Sequence, residues 1–366
     1  MSSNLYVPGL EGIVATQTGI SMVDGENGRL VYRGCWAKDL VIGHSFEEAA
    51  YLLWHGRLPD SKELVQLKET LQTHRVLPVS IVRLIEALPP DLDVMSALRT
   101  IISGMGGNFQ AWPPTIDDGI RLTAAVPTII AAVYRRSKGL PAVTPDPKLD
   151  TVAHYLYLLT GTAPTPSQVA AMSAYGILTM EHGLNASTFA ARVVTSTASD
   201  LASAVCAAIG AMKGPLHGGA PSEVLSMLDE IGTKSKAEPW LRERLERGER
   251  LMGFGHRVYK TRDPRAEALR TVTASLTSDD PWLDLAVHVE NTAIRLLEEY
   301  KPGRRLYTNV EFFAAAVMRS VSMPAELFTP TFTASRMVGW TAHIVEQAAN
   351  NRIFRPQSTY TGTLPE

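Results

Sequence analysis

Three histidines stand in glycine-bearing text that no regular helix or strand tolerates. They are His217 in KGPLHGGAPSEVL, His256 in GFGHRVYKTRDPR and His182 in EHGLNASTFAARVV. Gly214, Pro215, Gly218 and Gly219 interrupt any helix around His217, so its ring is held on a tight turn that another molecule can approach closely. His256 follows Gly-Phe-Gly, which gives the same access. That fragment is not a dinucleotide fingerprint, because the third glycine and a preceding strand are missing. His182 is followed by Gly183, Asn185 and Ser187, all small or hydrogen-bonding. Taken singly, each histidine is as well explained by a structural role as by a functional one. Three on such turns together point to a site that uses imidazole as donor, acceptor or proton carrier.

Positive charge gathers beside one of them. Four basic residues, Arg257, Lys260, Arg262 and Arg265, fall within nine positions after His256, with Asp263 the one acid among them. Asp263 reads as a helix N-cap and Pro264 as the first helical residue. Arg265 then sits in the first turn, where a cation opposes the helix dipole unless an anion occupies the site. A carboxylate or phosphate would meet those requirements, and the competing reading is an exposed arginine on a helix start. Glu311, in TNVEFFAAAVMRS, has apolar company that should make it reluctant to ionise and so a better base near neutral pH. A salt-bridged glutamate is the alternative. Arg336 reads as the start of an apolar helix in TFTASRMVGW, and Arg355 lies in NRIFRPQSTYTG. Either serves equally well as a surface charge.

The elements that must position these groups are mostly helical. The first 34 residues differ, alternating short β-branched runs with Asp24–Gly25 and Asn27–Gly28, which are hairpin signals. Ser45 and Glu48 form a capping-box pair, with Gly56 and Pro59 as the stop. Val94, Leu98, Ile101 and Ile102 make a helical stripe. Pro221 falls at a first-turn position before Val224, Leu225, Leu228 and Ile231, and Gly232 ends that helix. The text of 283–300 and 335–351 behaves similarly. Residues 142–150 and 232–240 read as polar or proline-bearing connectors, and 241–250 as a solvated helix face. The fold class is mainly α with a small N-terminal β element.

Composition narrows the function classes. The 366 residues suffice for two domains or one large one, with 45% hydrophobic and 20% charged residues. A formal net charge of −2 gives no global pull toward nucleic acid or membrane, so any anion site is local. Two cysteines, Cys35 and Cys206, make no disulfide framework, and no Cys/His spacing resembles a zinc site. The N-terminus lacks a basic and then apolar leader, and no apolar run is long enough to span a bilayer. A cytoplasmic protein is expected. On residues alone the reading is a helical enzyme that binds a small polyanion, with a metal-dependent hydrolase as a rival disfavoured by the missing ligand spacing.

Taken together and in order, DVMSALRTIIS, EHGLNAST, GPLHGGAPSEVL, GFGHRVYKTRDPR, TNVEFF, SRMVGW and RPQSTYTG resemble the citrate synthase family, which includes the 2-methylcitrate synthases. The resemblance spans essentially the whole chain. It implies a helical homodimer with a large domain (1–218 and 321–366) and a small domain (219–320) that closes over the site. It implies Glu311 as the base on the acetyl methyl of acetyl-CoA, His217 as hydrogen-bond donor to the thioester oxygen, and His256 as the group that polarises the ketone of oxaloacetate and protonates the alkoxide. His182, Arg265 and Arg336 would bind the oxaloacetate carboxylates, Asn185 and Ser187 would line the pocket, and Arg355 would reach the partner subunit's site. Arg257, Lys260 and Arg262 would face the CoA phosphates. No metal or redox cofactor is implied.

The chain departs from the family at Glu311, where most members carry aspartate followed by an aromatic pair and then Ser-Gly. Here Ala314 and Ala315 follow the phenylalanines. An extra methylene can displace a carboxylate by roughly 1 Å, which can cost on the order of 100-fold in rate. The expectation is a citrate synthase with lowered activity. The alternatives are a 2-methylcitrate synthase using propionyl-CoA, and a non-catalytic sensor of oxaloacetate or CoA.

Overall fold

The computed structural model describes residues 6–365 apart from 219, 257 and 277–280, and the side chains of 220–222, 275 and 276 are likewise outside the description. A three-stranded antiparallel sheet opens the fold, with β1 (Ser21–Asp24), β2 (Arg29–Tyr32) and β3 (Cys35–Trp36) in that order. Asp24 pairs with Arg29 across the first turn, and the Asp24 carboxylate accepts the Asn27 amide at 3.0 Å, so the Asp-Gly and Asn-Gly signals both fall in one hairpin loop.

Helices follow: α1 (Ala37–Gly43), α2 (Phe46–His55), α3 (Ser61–His74), α4 (Val79–Ala87), α5 (Val94–Gly104), α6 (Ile116–Ser137), α7 (Thr151–Thr160) and α8 (Pro166–Thr179). Next come α9 (Ala186–Ser196), α10 (Leu201–Met212), α11 (Ala220–Ile231), α12 (Lys234–Glu246), α13 (Pro264–Leu276), α14 (Pro281–Tyr300), α15 (Val310–Ser320) and α16 (Phe328–Ala349). Their starts are chemically marked. The Ser45–Glu48 box forms as expected, and Asp60–Glu63, Thr115–Asp118 and Thr165–Gln168 form three more.

α16 is the axis of the core. It packs against α2, α6, α8, α9 and α10 and is buried along almost its whole length, Trp340 and Arg336 included. α11 to α15 pack chiefly on one another and meet the rest through α8 and α1. Two sequence expectations fail here. The 232–240 connector is largely helix, because Ala237, Leu241 and Leu245 place one buried stripe on α12 and outweigh the break that Pro239 threatens. Arg336 does not start a helix. α16 begins at Phe328, since Pro330 falls in the first turn, where a missing N–H costs nothing. Arg336 is therefore two turns inside. The 241–250 text is a solvated face, laced by Arg242 with Glu238 and Glu299, and Arg244 with Glu230 and Glu249. Among the described residues no helix is long and apolar enough to cross a membrane.

Candidate active site

The turn carrying His256 owes its path to two glycines. Gly253 and Gly255 both adopt φ +83°, and a β-carbon on either would come within 3.0 Å of Phe312 or Leu306. The Gly255 amide donates to Tyr307 O (2.7 Å) and the Asn309 amide to Gly253 O (2.9 Å), a short antiparallel tie between the loop and the lead-in to α15. Asn309 then caps α15, accepting the Glu311 amide at 3.1 Å. His256 and Glu311 are thus brought together by backbone pairing. On the other side, the Lys260 amide donates to Gly25 O at 2.9 Å, so the N-terminal hairpin buttresses the same loop.

A cavity of about 920 Å³ opens where these turns meet α9, α15 and α16, and His182, Asn185, His217, His256, Arg265, Glu311 and Arg336 all line it. Each imidazole is neutral there. Burial, then Arg265, pushes His256 down to about 4, and burial, then Arg336, does the same for His217. His182 is held well below the ordinary histidine value by burial and the surrounding cations.

The hydrogen bonds orient each ring and, for His256, fix which nitrogen carries the proton. His256 Nδ1 accepts the amides of Val258 (3.0 Å) and Tyr259 (3.1 Å), so the ring proton sits on Nε2. His217 Nε2 faces the Ser187 amide at 3.4 Å and Ser187 Oγ at 2.8 Å, so Ser187 fixes the orientation of the ring. Ser187 is itself held by Asn185 Oδ1 (2.7 Å) and Trp340 Nε1 (3.0 Å). His182 Nε2 lies 3.1 Å from the Tyr259 hydroxyl. Burial keeps that phenol protonated, able to donate to Nε2 and leave Nδ1–H for an anion.

The charges divide into one acid and two arginines. Burial raises Glu311 to about 7, against the pull of Arg265 and Arg336, so at neutral pH it both holds and accepts a proton. Arg265 does not stand uncompensated, as its helix position suggested. Asp263 forks it at 3.0 and 2.8 Å, caps α13 through the Arg265 amide, and accepts the Val310 amide at 3.1 Å, which ties the starts of α13 and α15. Burial works against the Arg265 cation, and Asp263 more than offsets it. Arg336 donates from Nε to Thr179 O (2.6 Å), lies over the Phe332 ring, and makes no ion pair among the described residues. A buried cation on a cavity wall calls for an anion.

The other sequence candidates lie elsewhere. Ser187 is fully buried behind His217 and holds that ring instead of lining the cavity. Arg355 lines a second cavity of about 810 Å³ near the C-terminus, with Arg192 and Glu346. Arg262 is exposed and pairs with Glu267 at 3.6 Å, Lys260 is exposed, and neither lines the first cavity. Arg257 lies outside the described residues. Sequence reasoning missed Tyr259, since no spacing rule singles out an aromatic inside a basic run. It assigned Asp263 only a cap. No group of His, Cys, Asp and Glu among the described residues is arranged to hold a metal ion.

Comparison with known proteins gives one consistent outcome. Residues 9–357 match the family model "Citrate synthase, C-terminal domain". The chain is 42% identical to citrate synthase 2 of Bacillus subtilis, covering 97% of this chain and 95% of that one. It is 39% identical to the 2-methylcitrate synthase of Mycobacterium tuberculosis, covering 97% and 90%. Among solved structures it is similar to a ternary complex of carboxymethyl coenzyme A and oxaloacetate with a synthase from Thermoplasma acidophilum, with a TM-score of 0.89 and 32% identity over 98% of this chain and 96% of that one.

Proposed function

The chain belongs to the citrate synthase family, and on that premise we propose that it condenses acetyl-CoA with oxaloacetate and water to give citrate and free CoA. The observation that carries this reading is Glu311, an acid poised at about 7 on the same cavity wall as the imidazoles of His217 and His256. Glu311 takes a proton from the acetyl methyl. His217 Nδ1–H donates to the thioester oxygen as it gains charge. The resulting enol carbon attacks the ketone carbon of oxaloacetate, and His256 Nε2–H delivers its proton to the new alkoxide and regains one, the proton that Glu311 took from the methyl making up the balance. Water then cleaves the thioester, releasing carboxylate and thiol. His182, Arg265 and Arg336 hold the carboxylates of the keto acid, with Asn185 beside them and Ser187 fixing His217. No redox change occurs, and no metal or redox cofactor is required by these steps.

Assembly follows the same reading. Two copies form a homodimer in which Arg355, exposed at the C-terminal segment of one protomer, completes the site of the other. Residues 219–320 act as a small domain that closes on the large one (1–218 and 321–366) and excludes water. Arg257, Lys260 and Arg262 meet the CoA phosphates.

A second reading has a specific observation behind it, since relatives with both names match over nearly the whole chain at 42% and 39% identity. In it, propionyl-CoA replaces acetyl-CoA and the product is 2-methylcitrate. One methylene changes selectivity by only about 1–3 kcal/mol. Thiol release with oxaloacetate, measured with both donors in parallel, decides. Faster release from acetyl-CoA supports the first reading and faster release from propionyl-CoA the second. Oxaloacetate binding without release from either would leave a sensor.

A further inference from the structure

A polar seam runs through the apolar core between the catalytic cavity and the second cavity, and none of the steps above uses it. Three successive residues ahead of His182 dock on one face of α16. Arg336 Nε donates to Thr179 O, the Gly339 amide donates to Met180 O (3.1 Å), and His343 Nε2 meets the Glu181 carboxylate (3.1 Å). Positions 336, 339 and 343 fall on a single helix face. The fit at the centre needs glycine, because a β-carbon on residue 339 would lie 2.3 Å from Met180 O and 2.4 Å from Glu181 Oε2.

Each link of the seam has one polarity. Arg192 can only donate, and its Nε and Nη2 reach His343 Nδ1 at 3.0 and 2.8 Å. The His343 proton is therefore on Nε2 and aimed at Glu181 Oε1. That oxygen also accepts from Ser21 Oγ (2.7 Å) and from the Gly183 amide, the first peptide beyond His182. Arg192 continues to Gln347 Oε1 (3.0 Å) and to Glu346 on the wall of the second cavity.

Glu181, Arg192, Arg336 and His343 are all essentially inaccessible to solvent. Stability alone is a poor reason for such a seam, because apolar residues of similar volume would serve as well. The Glu181 Oε2 atom makes no hydrogen bond, a cost that a purely structural network would avoid. Burial opposes the Glu181 charge, and His343, Arg336 and Ser21 outweigh it, so the carboxylate stays ionised.

We propose that Glu181 and His343 are positioning residues for the keto-acid pocket, holding the 179–183 turn on α16 so that His182 and Arg336 keep a fixed mutual geometry. The proposal rests on the reading of that pocket as the oxaloacetate site. Its test uses the full-length protein with His343→Leu, His343→Gln and Ser21→Ala, each followed by steady-state kinetics, oxaloacetate titration calorimetry and melting. His343→Leu should raise KM for oxaloacetate about tenfold, with kcat and KM for acyl-CoA within about twofold. His343→Gln, whose amide can donate to Glu181 while its carbonyl accepts from Arg192, should recover most of that loss. Ser21→Ala removes one donor to the same oxygen and should raise KM for oxaloacetate about threefold, with little change in Tm, so it decides the matter if the leucine variant fails to fold. A lower Tm with unchanged KM and Kd for oxaloacetate in the folded variants would overturn the proposal. Failure of the wild-type protein itself to bind oxaloacetate would overturn the pocket reading and this proposal with it.

Discussion

Nε2 of His256 lies 3.3 Å from Nη2 of Arg265, and two backbone amides on Nδ1 force the His256 proton onto that same Nε2. Nη2 of Arg265 gives one hydrogen to Asp263 Oδ2 (2.8 Å), and its second faces the His256 Nε2–H, two donors with no acceptor between them. An oxygen placed between them takes both, and it is held most strongly when it carries a full negative charge, as an alkoxide does. Truncating His256→Ala should lower kcat by roughly 100- to 1,000-fold while acyl-CoA binding persists. Thiol release gives the first quantity and calorimetry with the acyl-CoA alone the second. A loss of less than about tenfold would remove His256 from the chemistry.

The pH profile follows from Glu311. A base must be ionised to accept a proton, and its value of about 7 predicts that kcat/KM rises as pH increases through 7 and levels off above 8. His217 and His256, both near 4, stay neutral over that range and add no second limb. The profile of kcat/KM between pH 5.5 and 9 checks this. A flat profile across 6 to 8 would mean that Glu311 does not limit the reaction as a base.

The same group makes a stability prediction of the opposite sense. A carboxyl raised from 4.5 to about 7 binds more protons folded than unfolded, so stability is intact below about 4.5 and is lost as pH climbs through 7. Glu311→Gln removes the charge and should raise Tm by roughly 2–4 °C at pH 8, with almost no effect at pH 4.5. Melting curves of the two proteins at both pH values test it, and equal melting at pH 8 would argue that the Glu311 charge is not desolvated.

Tyr259 offers a narrower test. If its phenol sets the His182 tautomer, Tyr259→Phe lets the ring proton move to Nε2 and turns Nδ1 into an acceptor that repels a carboxylate. KM for oxaloacetate should rise by about fivefold, the worth of roughly 1 kcal/mol, with kcat nearly unchanged. Parallel saturation curves for oxaloacetate and the acyl-CoA separate this from a general loss of activity.

Much of this was legible in the chain, and the misses share a cause. Local chemistry could be read wherever a residue acts on its own backbone. Ser45 and Glu48 cap α2, Asp263 caps α13, and the glycines at 253 and 255 announce a turn that only they can make. The convergence of His182, His217 and His256 was suggested by type and by resemblance, and the cavity gathers all three. Tertiary burial was not legible. It turned the Pro239 connector into helix, placed Arg336 two turns inside α16, and gave Arg265 a partner only two residues away, where sequence reasoning saw a cap alone. Nothing in the text of α16 marked His343 as more than an interior histidine, because its partners Glu181 and Arg192 lie more than 150 positions earlier.

The glutamate at 311 is the departure with the sharpest consequence. Shortening it to aspartate is the conservative change, yet the structure predicts a slower enzyme. The start of α15 is pinned, with the Val310 amide on Asp263 (3.1 Å) and the Glu311 amide on Asn309 (3.1 Å). Phe312, Phe313, Ala314 and Ala315 are buried immediately behind it. The backbone therefore has no freedom to advance by the roughly 1 Å that the lost methylene would require, and a misplacement of that size costs on the order of 100-fold. Glu311→Asp should lower kcat by about 10- to 100-fold with both acetyl-CoA and propionyl-CoA, while oxaloacetate binding measured by calorimetry stays within about twofold. An aspartate variant as fast as the parent would show that the helix start yields, and that the glutamate is tolerated without being accommodated.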